Sequence, residues 1–193
     1  MPEKNKLAIF ASGSGTNAEE IFKYFQNHAS IEVVLLLSNK PDAYVLTRAK
    51  KFNIPARVFT RDQFRDETVL MWLQEYGVTH IVLAGFLWLV PAYLIRQYPN
   101  RIVNIHPALL PKYGGKGMYG SKVHEAVKAS GDTKTGITIH LVNEVYDDGK
   151  VLFQDTVEVT AGDSPDDIAK KVHQLEYKHF PKEIEAWITL SKF

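Results

Sequence analysis

The chain has 193 residues, of which 45% are hydrophobic and 23% charged, the balance of an ordinary globular protein. Twenty-three basic against 22 acidic residues leave a formal net charge of +1, so no basic field favours a nucleic-acid partner. There are no cysteines, which excludes disulfides, thiolate metal sites and a cysteine nucleophile. No apolar run approaches the ~18 residues of a membrane span, and no signal peptide is recognisable. We expect a cytoplasmic protein without a membrane partner.

Short apolar runs alternate with helical patterns through the first half of the chain. Runs of strand length cover residues 7–10, 31–37, 81–84 and 102–105. Apolar residues at helical spacing cover residues 18–27, 42–52 and 62–76. This order predicts βαβ units, and strands that are apolar throughout predict a mainly parallel sheet with helices on both faces.

The second half of the chain has a different pattern. Residues 136–142 and 151–160 alternate around a turn at 147–149, which predicts antiparallel strands that complete the sheet. Ser164-Pro165-Asp166-Asp167 predicts a helix start, and we expect that helix to reach about residue 178 before Pro181 interrupts it. The sequence therefore predicts a single three-layer, Rossmann-like α/β domain over residues 1–193, with an open sheet and antiparallel late strands.

A glycine-rich segment, Ser12-Gly13-Ser14-Gly15-Thr16-Asn17, follows the first strand. Thr16 and Glu19 have the spacing of a capping box, and free N–H groups at a helix start suit an anion. One interpretation is therefore a phosphate site. A second is a dinucleotide site, because Gly13-x-Gly15-x-x-Ala18 fits that fingerprint, although residues 38–41 supply no acid at the end of the second strand. A third is a tight turn without a ligand.

Asn104-Ile105-His106-Pro107 closes a buried strand. Alternation places Asn104 and His106 on the same face at the carboxyl edge of the sheet, where open α/β sheets bind ligands. An amide beside an imidazole can donate hydrogen bonds to a developing oxyanion, although the same pair can simply cap a strand end. Asp147 lies in a later turn, where its carboxylate either has a structural role or approaches a histidine and raises the pKa of that histidine.

Two further loops are candidates for ligand contacts. The apolar segment 84–91 predicts either core packing or a slot for a flat aromatic ring. Residues 112–120 contain four glycines, and we expect a mobile loop there beside the site. No histidine spacing resembles a metal-binding motif, so no metal is expected.

Together these segments resemble the formyltransferase fold family over nearly the whole chain. The resemblance rests on residues 12–17, 83–86, 104–113, 136–142, 147–149 and 161–164. The Asn-Ile-His-Pro run with a downstream Asp-x-Gly is typical of folate-dependent formyl transfer, and the glycine loop is typical of the glycinamide ribonucleotide branch. The resemblance implies transfer of a formyl group from the co-substrate 10-formyltetrahydrofolate to the amine of 5-phosphoribosylglycinamide, in purine biosynthesis.

The resemblance also implies roles for individual residues. The catalytic group is matched by Asn104, His106 and Asp147. Contacts to the substrate's phosphate are matched by Gly13, Ser14, Gly15, Thr16, Asn17 and His173. Glu176 matches a contact to the ribose, and the loop that holds the pterin is matched by Phe86, Trp88, Leu89 and Val90. His173 stands where relatives often have Lys or Gln, and Trp88 stands where bacterial members commonly have Arg.

Other classes of protein share some of these sequence motifs. Formyltetrahydrofolate deformylase has a similar Asn-Ile-His segment but usually carries a regulatory domain ahead of it, and methionyl-tRNA formyltransferase adds a domain for tRNA. A dinucleotide-dependent oxidoreductase would follow from the glycine fingerprint alone. A binding module without catalysis would not need Asn104, His106 and Asp147 together. We expect an enzyme that acts on small molecules as a monomer or weak homodimer.

Overall fold

One seven-stranded sheet runs through residues 4–190, the part of the chain that the computed structural model describes. Both ends of the domain predicted over residues 1–193 lie outside the described residues. The strands are β1 Asn5–Phe10, β2 Ile31–Ser38, β3 Ala56–Val58, β4 His80–Leu83, β5 Ile102–His106, β6 Lys134–Leu141 and β7 Val151–Glu158. Their order is β3-β2-β1-β4-β5-β6-β7. The first five are parallel, and β6 and β7 are antiparallel, so the predicted fold class is confirmed.

Helices cover both faces of this sheet. They are α1 Thr16–Phe25, α2 Val45–Lys51, α3 Arg61–Arg65, α4 Thr68–Glu75, α5 Ala92–Gln97, α6 Ser121–Ser130 and α7 Pro165–Leu190. Leu7 and Ile9 of β1 pack with α1, α2, α6 and α7, whereas Ala8 and Phe10 pack with α3, α4 and α5. Because successive side chains of a strand point to opposite faces, a strand buried on both faces has the continuous apolar run seen in the sequence.

Some predicted elements differ from those of the structure. The helix predicted over residues 62–76 is two helices, α3 and α4, because Glu67 adopts a left-handed conformation with φ of 67°. The predicted interruption at Pro181 is wrong, since α7 continues through it and buries Phe180 and Ile184 on either side. The sequence did not predict β3 and α5, which have three and six residues, or α6, which has ten. The predicted start of α7 is confirmed by reciprocal hydrogen bonds between Ser164 and Asp167.

The sheet topology brings three loops to one edge. Strands β1, β4 and β5 are parallel neighbours, so the segments that follow them leave from the same side. The backbone N–H of Ser12 donates to the carbonyl of Gly85 at 3.1 Å, and the N–H of Leu87 donates to the Ser12 hydroxyl at 3.1 Å. These bonds hold the glycine-rich segment against the apolar loop. Within residues 4–190, no helix is long and apolar enough to cross a membrane.

The antiparallel half of the sheet requires glycine at position 136. A Cβ there would collide with the backbone carbonyl of Asp155 on β7 and approach Leu109. We expect Gly136→Ala to lower the free energy of unfolding by about 1–3 kcal/mol, the usual cost of overpacking. Urea denaturation measures this, with Gly13→Ala as the control because a Cβ at Gly13 meets no atom within 4 Å. Equal stability of the two variants would contradict the packing described for β6 and β7.

Candidate active site

A cavity of about 830 Å³ lies at the edge where the three loops meet. Every site residue predicted from the sequence lines it: Gly13, Ser14, Gly15, Thr16, Asn17, Phe86, Trp88, Leu89, Val90, Asn104, His106, Asp147, His173 and Glu176. Sites for small molecules commonly have volumes of about 300–1,000 Å³, so this cavity is at the large end of that range. In the described part of the chain, no group of three or more His, Cys, Asp or Glu side chains forms a metal site.

His106 lines the cavity at the end of β5 and is 4% exposed. Its Nε2 lies 2.7 Å from the backbone carbonyl of Tyr113, and its Nδ1 lies 3.6 Å from Oδ2 of Asp147. Because a carbonyl oxygen only accepts hydrogen bonds, Nε2 carries a hydrogen. In the neutral ring Nδ1 therefore has the lone pair, and Nδ1 is the nitrogen that gains and loses a proton.

The pKa of His106 is lowered below its usual value of 6.5, chiefly because burial disfavours the charged ring. The carboxylate of Asp147 and the carbonyl of Tyr113 oppose this shift without reversing it. The pKa of Asp147 is also lowered: burial acts against ionisation, but hydrogen bonds and the nearby histidines outweigh it. The predicted approach of Asp147 to a histidine is present, and its carboxylate acts to raise the pKa of His106. A net raised pKa is wrong, however, because the effect of burial is larger.

His140 is a site residue that the sequence analysis did not single out. It lies on β6 directly opposite Asn104 and is 2% exposed. Its Nδ1 donates to the carbonyl of Leu141 at 2.9 Å, so its Nε2 accepts from the Asn104 side-chain amide at 3.1 Å. The same Nε2 lies 3.6 Å from Oδ1 of Asp147. This contact fixes the orientation of the Asn104 amide and leaves its second N–H hydrogen available.

The glycine-rich segment forms the N-terminal end of α1. Gly15 is the N-cap residue with φ of 74°, and no side chain caps the helix. The predicted Thr16–Glu19 capping box is therefore wrong: the helix starts one residue earlier than that box requires, and Glu19 pairs with Arg48 of α2. Arg48 also donates to the carbonyl of Ser14 at 2.8 Å. The N–H groups of the first turn are thus not taken by a cap, which is the arrangement that binds anions.

Glu176 of α7 lies beside this helix start and is 4% exposed. Its Oε2 accepts a hydrogen bond from the side-chain amide of Asn17 at 2.9 Å and lies 2.8 Å from Nδ1 of His173. The hydrogen bond to Glu176 raises the pKa of His173, against an opposing effect of burial. This end of the cavity therefore combines backbone donors, a buried carboxylate and a histidine that binds a proton more readily than usual.

The apolar loop forms the aromatic end of the cavity. Phe86 packs against Phe10 with ring centroids 5.4 Å apart, and Trp88 packs against Phe64 at 6.1 Å. The guanidinium of Arg61, a residue not identified from the sequence, lies 4.4 Å from the centre of the Trp88 ring. Leu89 is 41% exposed. Phe86 and Trp88 belong to the packed core and also line the cavity. Core packing and a place in the cavity wall are therefore compatible for this loop.

The second glycine-rich loop lies over the centre of the cavity. The N–H of Gly115 donates to Oδ2 of Asp147 at 2.9 Å, while Lys116 and Tyr119 line the cavity. Gly115 and Gly117 have φ values of 93° and 89°, which side chains with a Cβ rarely adopt. The loop therefore touches the carboxylate directly, and its expected mobility stays a prediction.

Comparisons with known proteins agree with this geometry. Residues 5–184 match the family described as formyl transferase. The chain is 42% identical over 192 residues to the chloroplastic phosphoribosylglycinamide formyltransferase of Arabidopsis thaliana, covering 96% of this chain and 66% of that protein, just under two thirds of its length. It is 35% identical to the Haemophilus influenzae phosphoribosylglycinamide formyltransferase, covering 95% of this chain and 87% of that one. The Bacillus halodurans structure of that name superposes with a TM-score of 0.86 at 34% identity, covering 97% and 96%.

The electrostatic balance at His106 can be tested with Asp147→Asn, which removes the charge and keeps the shape. We expect the pKa of His106 to fall further, because the group that opposes the burial effect is lost. NMR titration of the histidine rings measures this, and His173 is the internal control because its pKa depends on Glu176. An unchanged His106 titration would mean that Asp147 does not act on the ring.

The lowered pKa of His106 also predicts how the free energy of unfolding changes with pH. A histidine whose folded pKa is below its unfolded value of about 6.5 contributes stability above that pH, and the contribution is lost as the pH falls below it. In Asp147→Asn the folded pKa of His106 is lower still, so the interval between the folded and unfolded pKa values is wider. The free energy of unfolding of this variant should therefore fall over a wider pH range below pH ~6.5. Urea denaturation between pH 5 and 8 measures the difference between the two proteins.

Proposed function

Since the chain belongs to the formyl transferase family, we propose that it transfers a formyl group from 10-formyltetrahydrofolate to the amine of 5-phosphoribosylglycinamide, a step of purine biosynthesis. The observation that carries the proposal is that three groups line one cavity. They are the uncapped helix start at Gly15, the aromatic loop at Trp88, and the group formed by Asn104, His106 and Asp147. A cavity with these three groups suits a phosphorylated amine and a folate that react with each other.

The anion end supports a phosphorylated ribose as one ligand. The uncapped start of α1 and the proton-binding His173 attract a phosphate. Glu176 accepts hydrogen bonds and is buried, and a carboxylate of this kind suits the hydroxyls of a ribose. A dinucleotide is disfavoured, because the Ser12 hydroxyl bonds to Asn39 at 2.7 Å where a dinucleotide site requires an acid.

The aromatic end supports a folate as the other ligand. A pterin is flat and polar at its rim, so it requires apolar walls and a few backbone hydrogen bonds. Residues 86–90 supply the apolar walls, since the rings of Phe86 and Trp88 both pack against Phe59. Arg61 lies at this end of the cavity as the available cation.

The proposed reaction is acyl transfer without a covalent enzyme intermediate. The amine nitrogen attacks the formyl carbon, the carbonyl oxygen becomes an oxyanion, and the free N–H of Asn104 donates to that oxygen. Neutral His106 accepts the proton of the amine at Nδ1, and Asp147 stabilises the resulting imidazolium. The bond from the formyl carbon to the folate nitrogen then breaks, and that nitrogen takes the proton. Loss of one oxyanion donor typically lowers kcat about 10²- to 10³-fold.

The main alternative is a deformylase, in which water replaces the amine as nucleophile. The buried Glu176, held by Asn17 and His173, favours transfer because a hydrolase does not require a ribose contact. The cytoplasmic location and the monomeric or weakly dimeric state expected from the sequence stay predictions.

One assay distinguishes these functions. The loss of 10-formyltetrahydrofolate absorbance is followed with and without the ribonucleotide. We expect turnover only when the ribonucleotide is present, with the formylated amine as product. Folate turnover that does not require the amine would identify a deformylase, and absence of any folate turnover would contradict the proposal.

The phosphate assignment can be tested with a matched pair of glycine variants. A Cβ at Gly15 would collide with Val45 and would also be strained at the positive φ, whereas a Cβ at Gly13 meets no atom within 4 Å. If the loop of the variant relaxes to relieve about 1–2 kcal/mol of strain, it must return to the strained conformation to bind phosphate, which corresponds to roughly a tenfold change in binding. We therefore expect Gly15→Ala to raise the ribonucleotide KM about tenfold or more while the folate KM stays within about twofold. Gly13→Ala should affect both much less, and an equal rise in both KM values for Gly15→Ala would refute the assignment.

A further inference from the structure

His124 on α6 is a buried polar residue to which no role has yet been given. It is 4% exposed and lines the cavity. Its Nδ1 is buried, and within residues 4–190 it has no hydrogen-bond partner. Buried polar atoms are nearly always hydrogen-bonded, so each exception requires an explanation.

The other deeply buried histidines do not share this feature. His80 lies 2.9 Å from the Thr79 hydroxyl, His106 lies 2.7 Å from the carbonyl of Tyr113, and His140 lies 2.9 Å from the carbonyl of Leu141. Each of these rings is therefore positioned by a protein partner. His124 is the exception in this group. The residue lies in the cavity wall, where a rotation of its ring can bring the unpaired nitrogen to a ligand.

The surroundings of His124 identify which part of the cavity it faces. Its ring centroid is 6.3 Å from that of His173 on α7. The charges of His173 and Glu176 on α7 and of His106 on β5 all act on it. His124 therefore lies next to the anion end of the cavity, within electrostatic range of the catalytic histidine.

A second orphaned atom lies at the same end. The carboxylate of Glu176 only accepts hydrogen bonds, so Asn17 turns its amide nitrogen toward it. The Oδ1 of Asn17 is consequently buried without a partner among the described residues. An unpaired acceptor and an unpaired imidazole in one part of a cavity favour a ligand that has both hydroxyl hydrogens and oxygen acceptors.

We propose that His124 hydrogen-bonds to the ribose 5-phosphate portion of the substrate, beside His173 and Glu176. The inference rests on the proposed function for the identity of the substrate. The ring can present a nitrogen to the ligand by rotating about χ2, a soft torsion whose half-turn exchanges Nδ1 with Cδ2.

His124 and His173 have different roles at this end of the cavity. Burial and the charge of His173 lower the pKa of His124, so its ring is neutral near pH 7. Glu176 raises the pKa of His173. His173 is therefore the ring that supplies positive charge to the phosphate. His124 supplies one hydrogen bond without a second charge that would repel the first.

His124→Phe tests the contact, because phenylalanine keeps a flat ring and removes both nitrogens. Ribose 5-phosphate is the probe, and its Kd is measured by calorimetry on the full chain. We expect the Kd to rise about tenfold, the effect of one lost hydrogen bond, while the folate Kd stays within about twofold. The unfolding temperature of His124→Phe without ligand should not fall, because phenylalanine has no buried nitrogen that lacks a hydrogen-bond partner. His124→Gln retains a donor and an acceptor and should restore most of the affinity.

His80→Phe is the matched control. His80 is buried to a similar extent, has a protein partner and lies outside the cavity. This variant should lower the unfolding temperature and leave the Kd of ribose 5-phosphate unchanged.

Three results would overturn the inference: no measurable binding of ribose 5-phosphate to the unmodified chain, an unchanged Kd in His124→Phe, or equal weakening of both ligands with a lower unfolding temperature. The absorbance assay tests formyl transfer separately. Weaker ribose 5-phosphate binding in His124→Phe without any formyl transfer by the unmodified chain supports the contact and contradicts only the activity.

Discussion

The carboxylate of Asp147 lies between two buried histidines, His106 and His140, at 3.6 Å from a nitrogen of each. Its position depends on the antiparallel half of the sheet. Gly149, two residues later, has no space for a Cβ against the carbonyl of Leu141, so the turn after β6 can pack only around a glycine. Strand pairing then sets Asn104 opposite His140. The amide, the imidazole and the carboxylate are thus aligned by backbone geometry before any ligand contact is considered.

Burial and hydrogen bonding together determine the pKa values of the ionisable groups in this cavity. His106 and His173 line the same cavity, yet burial lowers the pKa of His106 while a hydrogen bond to Glu176 raises that of His173. The first ring is therefore available to accept a proton, and the second is available to attract an anion. A single residue type serves acid–base chemistry and electrostatic binding because its neighbours differ.

The sequence was sufficient to predict every strand except β3, the open sheet and the convergence of the site residues, because apolar runs and the carboxyl-edge rule are local signals. His140 was not identifiable in this way, since its contact with Asn104 depends on the register of β5 and β6. His124 and the lowered pKa of His106 depend on burial, which no spacing reports. The continuity of α7 through Pro181 depends on Phe180 and Ile184, which pack on the sheet on both sides of the proline.

In the proposed function both ligands meet at Asn104 and His106, with the phosphate at the start of α1. The most direct test is a crystal structure of the chain with 5-phosphoribosylglycinamide and a folate analogue that lacks the formyl group. We expect the phosphate on the N–H groups of residues 13–17, the pterin against residues 86–90, and the amine within hydrogen-bonding reach of His106 Nδ1. A phosphate bound elsewhere, or a pterin at the glycine-rich segment, would contradict the proposed function.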